Sequence, residues 1–462
     1  MLMLLEYCIS IGLGILLLAI ARCRQRRQFR RQFPLMHATK LIYLDNAATS
    51  QKPAQVISAM SSFYSTSNAG VHRATHQLGR AASEEYETAR SVIEMFINAP
   101  PRSVVITRGA THALNEVANG LVLRPGDIVV VSEAAHHSNY LPWLAAAARA
   151  TASVVTVPWN ATTIDWELAL TDQVAVVAIH HVSHVFGTLT PVDTIRARMR
   201  AVCPEALLVV DACQSLPHIP VDVAKMECDV LVGSGHKMFG PTGVGFMFMS
   251  DNARRAVKPF IIGGGSITNA RGDSSEYPHC FEPGTPPVAE AVGLAAACRF
   301  IERWKMPCLI SDLEKEFMSL SACTILSDGN PRVIPLVAIS FKGVHAEDVA
   351  ALCDLRGVCM RAGNHCAALL HEKLGLRQGS LRISCQGYNT REEIALAVKS
   401  IRKAVDKLLQ STKVYRCLCY TQNIDTGGVY ETIGFIDHQP SNKEYSKSTF
   451  PSRKHRNRHY SW

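Results

Sequence analysis

The sequence lacks any systematic pairing of cysteines. Fifteen are spread through 462 residues, without the paired spacings of a zinc site or the regular framework of a disulfide-stapled domain. Cys417 and Cys419 stand too far from other ligands to propose a metal, so none is expected. This usage points to a reducing compartment, where most thiols are small core residues. Internal repeats are also missing, which excludes solenoid and propeller architectures. There is no basic groove either. The net charge is +9, but much of the excess lies at the two ends, so no nucleic-acid partner is expected. What remains is a long chain with 47% hydrophobic residues, ample for a core and too long for one simple domain.

The first 21 residues are almost wholly apolar, with Glu6 the exception, and Arg22, Arg24, Arg26, Arg27, Arg30 and Arg31 follow with no acid among them. The apolar run is just long enough to span a bilayer, and it equally matches the h-region of a signal. Residues 1–38 are therefore expected to be a leader or anchor outside the fold, with membrane contact through residues 1–21. If the run stays as an anchor, the arginines favour a cytoplasmic catalytic domain. Residues 411–462 are polar and basic towards the end, and are expected to form a disordered tail.

The centre of the chain carries the chemistry. An apolar run, Asp229 to Val232, stops at two glycines that flank a serine, and His236 and Lys237 follow; Val244 to Met249 is a second apolar run. A lysine on a tight turn between buried strands is poised as an amine nucleophile, able to condense with an aldehyde. A solvated loop lysine is the alternative from these residues alone. Upstream, Leu207 to Val210 is a buried strand that delivers Asp211 at its C-terminal end, where open α/β sheets place ligands. Val104 to Thr107 reads as a strand, followed by Gly109 and a helix start at Ala110 and Thr111, whose free N–H groups suit a phosphate. An aldehyde trap, a carboxylate for a protonated ring nitrogen and a phosphate cradle together fit pyridoxal 5′-phosphate.

Eight stretches carry a resemblance: Tyr43-Leu-Asp-Asn-Ala-Ala-Thr-Ser50, Val71-His-Arg73, Thr107-Arg-Gly-Ala-Thr111, Ser132-Glu-Ala-Ala-His-His-Ser-Asn139, Val209-Val-Asp-Ala-Cys-Gln214, Ser234-Gly-His-Lys237, Phe281-Glu-Pro-Gly-Thr-Pro286 and Arg361-Ala-Gly-Asn-His-Cys366. The chain from about residue 41 to about residue 408 resembles the class V aminotransferase-type enzymes, and closely the group II, SUF-type cysteine desulfurases.

The resemblance implies an α/β protein of the PLP-dependent transferase fold type I. Its large domain, residues 56–306, would hold a mostly parallel seven-stranded sheet. A smaller C-terminal α+β domain, residues 307–410, would hold the catalytic cysteine loop, and residues 39–55 would pack with it. Lys237 would carry the cofactor, His136 would lie flat on its ring and move protons, and Cys366 would be the nucleophile. Nearby positive charge from Arg361 and His365 would favour the Cys366 thiolate. Ala110, Thr111, Ser234 and His236 would hold the phosphate, with Thr285 reaching it from the neighbouring subunit of a homodimer. Asp211 would face the ring nitrogen and Gln214 the ring hydroxyl. Arg382, Arg73, Arg361 and Asn46 would hold the substrate, and His137 would be structural.

Where this family usually has asparagine, the chain has His184. It would either donate to the ring hydroxyl or swing away and leave that group to Gln214. The implied activity is desulfurisation of L-cysteine to L-alanine with a persulfide on Cys366. The sulfur would pass to an acceptor protein of SufE type for iron–sulfur cluster assembly. A plastid or apicoplast-like organelle is the implied location, with the mitochondrion as another. A selenocysteine lyase or other β-eliminating enzyme on the same scaffold, and a non-catalytic membrane-tethered scaffold, are the competing functions.

Overall fold

The computed structural model describes residues 24–160, 163–268, 274–304, 308–320 and 323–422. The chain divides into two units, 1–411 and 412–462. Of the second, only the helical stretch up to Gln422 lies among the described residues. The apolar run expected at residues 1–21 and the tail from residue 423 lie outside them. Among the described residues, no helix is long and apolar enough to cross a membrane.

Thirteen strands are described in the first unit. Seven of them, β2 (Val104–Thr107), β3 (Ile128–Ser132), β4 (Ser153–Val157), β5 (Val174–His180), β6 (Leu207–Asp211), β7 (Val230–Ser234) and β8 (Gly245–Met249), form one sheet in the order β2-β8-β7-β6-β5-β3-β4. Only β8 runs against its neighbours. The strands that read as continuous apolar runs are the buried central ones, as both faces of a parallel sheet are covered. Alternate residues feed two cores: Leu208, Val210 and Leu231 enter one, and Val209, Val230 and Val232 the other. Because β2, β3, β5, β6 and β7 share a direction, their C-terminal ends meet at one edge, which fixes where ligands bind.

The first core is closed by α1 (Ala54–Thr66), α2 (Gln77–Phe96) and α3 (Val288–Arg303), with α3 packed on both others. A four-stranded antiparallel sheet is made of β9 (Cys323–Ile325), β10 (Leu336–Phe341), β12 (Arg361–Gly363) and β13 (Ser380–Ser384). Beside it, β1 (Ile42–Tyr43) pairs in parallel with β11 (Val358–Cys359), so the start of the family-like sequence joins the C-terminal layer. The closing helix α4 runs over Arg391–Gln422, so the start of the segment expected to be a disordered tail, residues 411–422, is helical.

The expectation that residues up to 38 lie outside the fold is corrected for residues 24–38. Residues 24–30 are helical, and Phe29, Phe33 and Met36 are buried among Val56, Phe239, Phe300 and Tyr388. Phe33 stacks edge-on to Tyr388 at 4.6 Å between ring centroids. Arg30 donates to the Tyr388 carbonyl at 2.7 Å and pairs with Glu393 at 2.8 Å. The first helix ends at Arg30 and a second short one runs over Leu35–Ala38, so Phe29, Phe33 and Met36 enter one apolar cluster from a helix, a turn and a second helix, while Arg30 between them pairs outward.

Candidate active site

The sheet edge opens into a cleft of about 420 Å³ whose walls come from the ends of β2, β3, β5, β6 and β7 and from the β12 turn. Beneath it the backbones pack so closely that a Cβ on Gly245 would lie 2.4 Å from the Gly233 carbonyl and 2.6 Å from the Gly109 Cα. Only glycine permits that approach, which brings the Ala110 helix start beside the Lys237 turn. Ser234 Oγ accepts from the Ala110 N–H at 2.9 Å, and the Thr111 and Ser138 hydroxyls are 2.7 Å apart. Lys237 follows β7 on a single 3-10 turn, Gly235–Lys237. The His236 carbonyl behind it accepts from the Ser50 N–H at 3.0 Å and from Lys52 Nζ at 2.8 Å. Burial pushes Lys52 down to about 8, so the sequence hid a second amine that braces the lysine turn from behind.

Asp211 closes β6, is 8% exposed, and accepts from the Cys213 N–H at 3.0 Å. Across the cleft stands His136. Its Nδ1 accepts from the Ser138 N–H at 3.1 Å, which leaves the proton of the neutral ring on Nε2. Burial, then the Lys237 charge, pushes its pKa down to about 4, so the ring is neutral at pH 7.

Cys366 is exposed at the cleft mouth, on a turn in which both His365 (φ 51°) and Cys366 (φ 58°) are left-handed. Side chains with a Cβ avoid that region unless neighbours hold them there. The His137 N–H donates to the Cys366 carbonyl at 2.7 Å, and His137 Nε2 accepts from the Ala368 N–H at 3.0 Å. His184 Nε2 lies 3.0 Å from the His365 carbonyl. A carbonyl only accepts, so the ring proton sits on Nε2.

Two arginines face this turn. The β12–β13 register sets Arg361 directly opposite Arg382, two like charges that need a partner between them. Asp45 supplies it: Arg361 Nε lies 3.0 Å from one carboxylate oxygen, and Arg382 Nη2 3.6 Å from the other. Arg382 also donates to the His184 carbonyl at 3.1 Å, and its Nε is buried without a partner.

The class-V aminotransferase family model matches residues 42–396. The chain belongs to the class-V aminotransferase family. It is 37% identical over 401 residues to a probable cysteine desulfurase of Synechocystis, covering 81% of this chain and 94% of that protein. A probable cysteine desulfurase of Vibrio cholerae is 35% identical over 403 residues, covering 82% and 98%. Among solved structures, an apo cysteine desulfurase from Thermococcus onnurineus matches with a TM-score of 0.78 and 32% identity, over 82% of this chain and 98% of that one. An Escherichia coli cysteine desulfurase carrying an S-sulfonic acid matches with a TM-score of 0.74 and 32% identity, over 83% and 98%.

The cleft of this class-V aminotransferase-family member fits pyridoxal 5′-phosphate by its donor set. A primary amine, a buried strand-end carboxylate, a neutral imidazole and a helix start with two hydroxyls converge on one volume. Lys237, Asp211 and His136 would meet the aldehyde, ring nitrogen and ring face. Ala110, Thr111, Ser234 and His236 would meet the phosphate. Burial pushes His236 down to about 4, so it would bind as a neutral donor.

Several expected residues lie elsewhere. Gln214 is buried and gives its amide to the Ala47 carbonyl at 2.9 Å, supporting the wall without lining the cleft. Asn46 is 3% exposed and hydrogen-bonded to the Ser384 carbonyl at 2.7 Å, to Asn389 and to the Tyr388 hydroxyl, so it ties layers together rather than meeting substrate. Arg73 and Thr285 are exposed and do not line this chain's cleft. His365 is not a charge beside the thiol, because burial holds its pKa well below the usual value and keeps it neutral. The donor role expected of His184 towards the cofactor is also closed. Its Nε2–H is committed to His365 and burial keeps the ring neutral, so Nδ1 is left as an acceptor.

The sequence also gave no sign of Asp45 as the charge between the arginines. Its carboxylate lies between two strands far along the chain, and only the like-charged cross-strand pair, once seen, calls for it.

Proposed function

We propose that the protein is a cysteine desulfurase that converts L-cysteine to L-alanine and carries the sulfur as a persulfide on Cys366. The observation that carries this is the exposed Cys366 thiol, held on a strained turn over the cleft that contains Lys237, His136 and Asp211. The cofactor is pyridoxal 5′-phosphate, which supplies an aldehyde to take the substrate amine and an electron-poor ring to withdraw electrons from its α-carbon.

The protein's own groups do the rest. Arg382 receives the substrate carboxylate, a planar fork whose buried Nε still lacks a partner. Asp211 would hold its carboxylate against the ring nitrogen. Lys237 removes and returns the α-proton, and His136 delivers a proton from Nε2. The Cys366 thiolate attacks the substrate sulfur. A sulfur–sulfur bond forms, the carbon–sulfur bond breaks, and its electron pair stays with the β-carbon, which takes a proton to give alanine.

The short, uninterrupted Arg361–Ala367 turn supports placement in the group II, SUF-type branch, with transfer of sulfur to a SufE-type acceptor for iron–sulfur cluster assembly. A homodimer is supported by the apolar surface at Phe260, Ile261 and Ile262, exposed by 56, 42 and 69% beside the Gly263–Gly265 loop and near Thr285. Arg26 and Arg30 pair with Asp312 and Glu393, so any organelle address of plastid or apicoplast type rests on residues 1–23.

The test is release of alanine and sulfide from L-cysteine in the presence of a thiol reductant, with borohydride trapping to map the cofactor. Equimolar alanine and sulfide with the pyridoxyl group on Lys237 are expected. A pyridoxyl group on another lysine, or no alanine, refutes the reading.

A further inference from the structure

His184 reaches three parts of the site at once. Its ring stands edge-on to His136, with centroids 5.1 Å apart. Its carbonyl takes the Arg382 Nη1 hydrogen bond at 3.1 Å. Its Nε2–H donates to the carbonyl of His365, the first of the two left-handed residues that present the Cys366 thiol. The His365 ring is held from the other side, with Nε2 3.0 Å from the Ser380 carbonyl and 3.1 Å from the Ser380 hydroxyl. His371 reaches the same hydroxyl at 2.9 Å and the Ala367 carbonyl at 2.9 Å. These bonds pin the flanks of the turn from within the C-terminal layer. Among the described residues, His184 and His137 hydrogen-bond to it from beyond the ends of the large-sheet strands.

We propose that His184 is a positioning residue for the nucleophile: its imidazole Nε2–H holds the His365 carbonyl and so keeps Cys366 over the cleft. The left-handed pair has no steric preference of its own for that shape, so the shape persists only while its carbonyls and amides are held. An asparagine at 184 ends about one bond short of the imidazole Nε2 and loses the tie. Glutamine carries its amide N–H about as far from the backbone as the imidazole does and restores it. The side-chain length at position 184, rather than its ability to ionise, sets how firmly the turn is held.

The proposal rests on the desulfurase reading only for its kinetic consequence, and the first measurement is independent of activity. Amide hydrogen exchange is followed in the holoenzyme over residues 363–370, where the Ala367 N–H is bonded to the Asn364 carbonyl and the Ala368 N–H to His137. One lost buried hydrogen bond corresponds to exchange about 5- to 10-fold faster in His184→Asn and His184→Ala. His184→Gln stays within about twofold of the parent. In turnover, His184→Asn lowers kcat by about 10-fold with the KM for cysteine within twofold, because the thiol acts after the substrate is bound. Unchanged exchange in His184→Asn, exchange in His184→Gln as fast as in His184→Ala, or a raised KM with unchanged kcat overturns the proposal. If Cys366→Ala still released sulfide at the parent rate, the desulfurase reading would fail while the exchange comparison still decided the role of His184.

Discussion

The His137 N–H meets the Cys366 carbonyl at 2.7 Å, joining the residue after His136 to the residue whose thiol stands at the cleft mouth. The His136 imidazole and the Cys366 thiol thus sit on segments tied by a backbone hydrogen bond. A displacement of the nucleophile turn is felt at the imidazole, and each of the two groups is set by the other's support.

Cys366→Ala removes only the sulfur, because the backbone bonds to His137 and His184 do not involve the side chain. Cofactor absorbance and cysteine binding are expected to remain at parent levels, while sulfide release falls by at least about a hundredfold. Spectra and turnover measured on one preparation separate the two, and parent-level sulfide release would exclude Cys366 as the nucleophile.

Asp45→Asn frees the forks of Arg361 and Arg382, for which an incoming carboxylate must otherwise compete. The KM for cysteine is expected to fall by about 3- to 10-fold. The protein loses about 3 kcal/mol of stability, because the buried Arg382 charge loses its counter-ion. Steady-state kinetics and urea unfolding report the two effects. A KM that rises would show that Asp45 aims Arg382 rather than competes for it.

His181 and His218, both away from the cleft, are pushed down to about 4 by burial. The unfolded chain binds these protons near pH 6.5 and the folded chain does not, so stability is fully present above pH 6.5 and is lost as the pH falls towards 4. Between pH 7 and pH 5 each contributes a loss on the order of 1–2 kcal/mol. Urea midpoints across that range are expected to drop, and the His181→Gln, His218→Gln double variant should flatten the slope. An unaltered slope would assign it to other groups.

Removing residues 1–23 is expected to leave the melting temperature unchanged, whereas removing residues 1–39 takes away Phe29, Phe33 and Met36. Phe29→Ala or Phe33→Ala alone should cost about 3–5 kcal/mol, as both rings are fully buried. Thermal unfolding of the four proteins side by side checks this. Equal stability of the 1–39 deletion would mean that the aromatic contacts do not hold the fold.

Much of the large sheet was legible because parallel strands are buried on both faces and read as unbroken apolar runs ending in Asp211, Ser234 and the Ala110 turn. Lys237, His136 and Cys366 were legible from local motifs and meet at one cleft. The roles of His184, Asn46 and Gln214 were not, because each is decided by a partner carbonyl distant in sequence: His365, Ser384 and Ala47. Residues 24–38 were misread for a related reason. Phe29, Phe33 and Met36 sit on a helix, a turn and a second helix, and what buries them is Val56, Phe239, Phe300 and Tyr388, partners remote in sequence that no local pattern announces.

That aromatic cluster also constrains the order of events during synthesis. Phe29 and Phe33 are synthesised well before their partners Phe300 and Tyr388 and before the Glu393 that pairs with Arg30. At roughly 5–20 residues per second, the two rings wait unpacked for tens of seconds while the sheet between forms. The amino-terminal segment therefore works as a late-fitting wedge, free to be read by whatever handles the nascent chain until the closing helix emerges, and buried from then on.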